Sequence, residues 1–150
     1  MNLSKNIVTK RIKPDASGWT VAAGAADVNS DIVDTAGYDG VRFIAGFGAI
    51  VAGAATSIKV QQDTAAGGGT MADLLGSAIA VADSDDNKIA VTEIFRPRER
   101  YVRLTTLRAT QNSTIDFVLV ELHGPRGLPV TQDSTVIAAE THISPAEGTA

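Results

Sequence analysis

The sequence predicts a mostly β, antiparallel sandwich or barrel. Short runs alternate apolar and polar residues, and Gly-, Asp- and Asn-rich turns separate them. No segment sustains an apolar period near 3.6 residues, so helix content should be low. Residues 18–123 are expected to form a single domain, flanked by extended arms over 1–17 and 124–150.

Residues 1–17 read as a polar, basic lead with Lys5, Lys10, Arg11 and Lys13, anchored by Ile7 and Val8 and ended by a turn at Pro14 and Asp15. Residues 19–21 make a short strand, and 22–30, small and polar, a loop. After a turn at 37–40, residues 41–50 form a strand. Val41, Phe43, Ala45 and Phe47 lie on one face and Ile44 and Ile50 on the other, so both faces should be covered. Gly46 and Gly48 inside that strand signal a bulge or a close backbone approach. Residues 56–62 alternate, with Ile58 and Val60 inward. The glycines at 67–69 make a flexible tip, and residues 71–75 fit one helical turn.

Residues 78–81 read as a strand, 83–87 as a polar turn and 88–95 as a further strand, broken at Arg96 and Pro97. Residues 101–107 set Val102 and Leu104 against Arg103 and Thr105. In 114–122, Ile115, Phe117 and Leu119 oppose Val118 and Val120. From Gly124 the chain loses its aromatics and keeps only scattered aliphatics, among them Val130, Val136, Ile137 and Ile143. That pattern fits either a disordered tail or an arm lying on a neighbour.

The chain has 150 residues, 44% of them hydrophobic, which suffices for one core. Only 5% are aromatic, and small side chains bury little area at roughly 25 cal/mol per Å². Oligomerisation or docking would add buried surface. A net charge of -4 and a pI near 5.0 argue against nucleic acid as a partner. No apolar run nears the roughly 18 residues of a membrane span, and the charged first residues lack a signal-peptide core. The protein is therefore expected to be soluble and made in the cytoplasm. Cysteine is absent, which removes disulfides, thiolate nucleophiles and thiolate metal sites.

Few motifs point to chemistry. Asp83, Asp85 and Asn87, like Asp27, Asn29 and Asp31, match the opening ligands of a calcium loop. Lys88 and Ile94, or Ile32 and Tyr38, then stand where its glycine and glutamate belong. Solvated turns fit both stretches better. His123 and His142 form no ligand pair, and no nucleophile elbow occurs. Gly46 and Gly48 lack the third glycine of a dinucleotide loop, because Val51 occupies its place. No enzyme activity and no cofactor are expected.

The densest charge is Arg96, Arg98, Arg100, Arg103 and Arg108, suited to bidentate pairing with carboxylates across an interface or to a solvated strand edge.

Residues 34–62 (DTAGYDGVRFIAGFGAIVAGAATSIKVQQ), residues 84–88 and residues 96–103 together resemble a family of tailed-bacteriophage capsid decoration, or cement, proteins. The resemblance spans about residues 3–136. It implies a β-sandwich or jelly-roll that binds the outer surface of the mature capsid, commonly as a homotrimer, and clamps adjacent major capsid protein subunits. Capsid contacts would come from Lys5, Lys10, Arg11 and Lys13 on the N-terminal arm. Arg96, Arg98 and Arg100, and Arg126, Val130, Val136 and Ile137 on the C-terminal arm, complete the set. The expected location is the virion exterior, after synthesis in a bacterial host. Two other functions fit the sequence: a carbohydrate-binding or adhesin-like sandwich using Trp19, Tyr38 and Tyr101, and a low-copy head–tail connector or tail-tube protein.

Overall fold

The computed structural model describes residues 2–144 and 146–149; Met1, Pro145 and Ala150, which fall in the two expected arms, lie outside the described residues. Two antiparallel sheets pack face to face. In chain order the elements are α1 (Leu3–Asn6), β1 (Val8–Ile12), β2 (Val21–Gly24), β3 (Val28–Asn29), β4 (Val33–Asp34), β5 (Gly40–Ile50), β6 (Ala55–Asp63), β7 (Ala72–Asp73), β8 (Ile79–Val81), β9 (Ile89–Phe95), β10 (Tyr101–Ala109) and β11 (Ser113–His123). One sheet runs β1-β11-β5-β9 with β2 also on β11. The other runs β3-β10-β6-β7, with β4 also on β10 and β8 also on β6.

Alternation explains the core. Val41, Phe43, Ala45 and Phe47 of β5, Ile58 and Val60 of β6, and Val102 and Leu104 of β10 all point inward and are buried. The period slips at one place. Ser113 sits opposite Ile50 and Ile115 opposite Phe47, so two steps on β11 face three on β5. The next pair, Phe117 with Gly46, reverses the imbalance. These compensating bulges put Ile50 on the same face as Phe47, and Ile115 on the same face as Val118, Val120 and Leu122. Phe117 and Leu119 turn to the outer face, so the split that set Ile115 with them does not hold. Gly46 is where the outer face closes: a β-carbon there would lie 2.3 Å from the Phe117 ring. The bare backbone accepts the ring in place of a side chain.

Three segments differ from the sequence expectation. The lead segment is not wholly an arm: Val8 and Ile12 are buried, and residues 8–12 join the sheet beside β11. Residues 71–75 hold β7 on β6 rather than a helical turn, because Leu74 donates its N–H to the Val60 carbonyl at 2.9 Å. The loop expected at 22–30 contains β3, paired with β10.

The C-terminal segment from Gly124 is extended and returns along the free edge of β1. Gln132 donates from Nε2 to the Ser4 and Ile7 carbonyls at 2.9 and 2.7 Å, and its Oε1 accepts the Thr9 N–H at 2.9 Å. The Arg11 N–H reaches the Thr135 hydroxyl at 2.9 Å, and the Val130 N–H reaches the Lys5 carbonyl at 3.0 Å. Side chains of the tail thus satisfy an edge that would otherwise present open donors and acceptors.

Arg108 joins the two sheets. It lies on β10 with 5% of its surface exposed. Its guanidinium donates to the carbonyls of Ala26 at 2.7 Å, Ser113 at 2.8 Å and Ala22 at 3.1 Å. Its backbone N–H reaches the Asp27 carboxylate at 2.9 Å. Burial lowers the Arg108 pKa from its ordinary value, opposed by the charges of Asp15 and Asp27.

Arg108→Ala should therefore cost on the order of 3 kcal/mol in urea unfolding, because it strands buried carbonyls without donors; a loss below about 1 kcal/mol would show that the guanidinium does not hold the sheets. Gln132→Ala should speed hydrogen exchange at the Thr9 amide while leaving the Val120 amide protected; unchanged exchange at Thr9 would show that the tail does not seal the edge.

Candidate functional site

Two turns at one end of the sandwich build a cleft of about 520 Å³. Residues 35–39 connect β4 to β5, and residues 96–100 connect β9 to β10. The walls are Thr35, Ala36, Gly37, Tyr38, Asp39 and residues 96–100, with Arg126 reaching in from the tail. Arg96, Arg98 and Arg100 recur every second residue across the strand break at Pro97, and the fold adds Arg126 to them. Of the arginines singled out in the sequence, these are the four brought together.

Backbone hydrogen bonds fix the frame. Arg96 donates its N–H to the Asp39 carbonyl at 2.7 Å and adopts a positive φ of 52°, a conformation rare for a non-glycine residue. Arg126 donates its N–H to the Gly37 carbonyl at 2.9 Å, which ties the tail to the first turn. The Arg100 carbonyl accepts both the N–H and the hydroxyl of Thr35, at 2.9 and 2.8 Å. The cleft is thus braced from three separate stretches of chain.

Charge inside it is uneven. Arg100 grips Asp34 through two parallel bonds, Nε to Oδ1 at 2.8 Å and Nη2 to Oδ2 at 2.7 Å. The same pairing raises the Arg100 pKa above its ordinary value. Arg96 stacks its guanidinium over Phe95, 5.2 Å from the ring centre. Among the described residues, Arg96, Arg98 and Arg126 make no ion pair. Four arginines therefore face two lining carboxylates, Asp39 and Glu99.

The remaining sequence-selected residues lie elsewhere. Lys10 stands 3.8 Å from Asp133. Arg11 and Lys13 both sit over the Trp19 ring, at 5.5 and 6.0 Å, and Arg11 also donates to the Trp19 carbonyl. Lys5 is exposed on α1. Val130 packs against the core, and Val136 lines a groove between the tail and α1. Ile137 is fully exposed.

Arg103 bonds Gln61 at 2.8 Å, so the arginine run does not form one surface. Of the aromatic residues considered for sugar binding, Trp19 stays exposed with Arg11 and Lys13 beside its ring, Arg100 lies 5.2 Å over Tyr101, and Tyr38 packs against the core.

The acidic turns serve the backbone. Asp86 accepts the Ile50 N–H at 2.6 Å, Asp83 that of Gly53 at 2.8 Å and Asp85 that of Ala82 at 2.9 Å. Among the described residues no group of three or more His, Asp or Glu side chains is placed to hold a metal ion. No described helix is long and apolar enough to cross a membrane.

The Asp34 carboxyl lies below its ordinary 3.8, chiefly through the hydrogen bonds from Arg100; burial opposes them, and the Ala36 N–H and the arginine's charge add lesser lowering effects. A lowered carboxyl stabilises the fold above its unfolded pKa and loses that contribution as pH falls through the folded value. Both partners are about half exposed, so solvent screening keeps the contribution small. Arg100→Gln should move the Asp34 midpoint up toward 3.8 in a carboxyl-carbon NMR titration; an unmoved midpoint would show that the pair does not persist in solution.

No protein-family model matches the sequence, and no curated protein matches it. Among solved structures, the chain resembles the PBSX exported protein XepA, with a TM-score of 0.53 and 17% identity. The alignment covers 96% of this chain and 46% of that one, so the chain spans less than half of that protein's length. At this identity the likeness shows a shared fold over almost the whole chain.

Proposed function

We propose that this chain is a structural protein of a phage particle that docks on the exterior of the mature capsid and clamps adjacent major capsid protein subunits. The observation that carries the reading is the convergence of Arg96, Arg98, Arg100 and Arg126 in one open, rigidly framed cleft. An open surface lined by arginine forks suits the holding of a partner. The shared fold with a protein of the phage PBSX supports the phage setting.

The clamp works by mass action. A protein that binds the mature lattice better than free subunits stabilises that lattice by its differential affinity. Its contact surfaces are the arginine cleft and the exposed tail around Ile137. Lys10, Arg11 and Lys13 already face partners within the chain, which leaves Lys5 as the exposed cation of the lead segment. Three copies around a threefold position of the shell would present three clefts.

The test is copy number. Virions banded on a density gradient should carry this chain in numbers comparable to the major capsid protein, by quantitative mass spectrometry. A handful of copies per particle would instead place it at the neck or tail, and its absence would overturn the virion reading.

A further inference from the structure

We infer that the arginine cleft is a carboxylate-binding site that takes an acidic, extended protein segment. The site stands on its own geometry, and only the identity of its partner as a capsid protein rests on the reading above.

Three observations lead there. First, cations are left over. The protein is acidic overall, at -4, yet the cleft gathers four arginines and pairs one of them with a carboxylate across an ion pair. Like charges held together on a braced frame repel each other, and that repulsion is relieved when anions enter.

Second, the cleft wall shows which anion fits. Arg100 holds Asp34 by the planar two-point grip that guanidinium makes with carboxylate. Arg98 and Arg126 line the same space with no such partner among the described residues. Arginine suits this role better than lysine because its donors form a fixed fork.

Third, the frame is preset. Arg96 keeps a positive φ through its N–H bond to Asp39, and Arg126 is fastened to Gly37. A non-glycine residue held in that region stores strain, which accumulates where a side chain must be aimed.

The same lining disfavours nucleic acid. Asp39 and Glu99 would repel a continuous phosphate backbone, and Tyr38 is the one aromatic residue in the wall. A segment bearing two or three carboxylates can pair with Arg96, Arg98 and Arg126, which make no ion pair among the described residues, and an open cleft of about 520 Å³ has room for several side chains.

The probe is a fluorescein-labelled, end-capped tri-glutamate peptide, followed by anisotropy against the full chain at low salt. Saturable binding is expected. Arg98→Ala combined with Arg126→Ala should weaken it by about tenfold or more, since two charge-assisted contacts are lost. Both side chains are exposed, so the thermal unfolding of this variant should match the parent. The double lysine variant at the same positions should bind with intermediate affinity, because charge remains and the fork is lost.

No saturable binding, or equal binding by the double alanine variant, would overturn the site. Tighter binding of a ten-base oligothymidylate than of the peptide would overturn the carboxylate assignment in favour of nucleic acid. Peptide binding by a chain absent from virions would sink the capsid role and leave the site standing. A high copy number without peptide binding would do the reverse.

Discussion

The guanidinium of Arg108 is the interaction on which the sandwich turns. It starts on β10, in one sheet, and ends on carbonyls of β2 and β11, in the other, and of the loop after β2. Apolar contact between sheets is non-directional and would tolerate sliding. Three hydrogen bonds from one planar group do not. They fix the distance between the sheets at this end and set where β2 lies along β11. A buried charge is costly unless it is hydrogen-bonded, so the same group that demands partners also makes the arrangement specific. At the opposite end, the turns at 35–39 and 96–100 are free to serve as a binding surface because the register is fixed elsewhere.

Much of this was legible in the sequence, and the failures have physical causes. β5, β6, β9, β10 and β11 are long enough for period two to show. β3, β4 and β7 have two residues each, too few for any period, and exist because β10 and β6 offer free edges. The paired bulges between β5 and β11 were half visible: Gly46 and Gly48 marked the place, but not the parity change that sends Ile50 inward. Arg108 shows a missed signal. Val102 and Leu104 point inward, and the same alternation carries Thr106 and Arg108 inward too. Counting two residues further along the strand separates the structural arginine from those at the surface.

The cleft was legible only in part. Spacing alone puts Arg96, Arg98 and Arg100 together. Nothing in the sequence announces that Arg126 returns to them, because that depends on a backbone bond to Gly37, far away in the chain, beyond the paired ends of β5 and β11. The tail likewise reads as an arm from composition, since its isolated aliphatics and polar residues have no period. Its fit to β1 lies in side-chain chemistry: Gln132 offers both a donor and an acceptor, which a β1 edge with alternating groups can use.

The bond between Thr9 and Gln132 joins residues 123 positions apart. Such a contact forms only after the strands between them have found their places, since closing so long a loop has no local reward. On the ribosome, β1 must wait for Gln132 to emerge before its outer edge is covered. The seal is thus a late step of maturation, and the nascent chain passes through a period in which that edge is open to chaperones or to other unfinished copies.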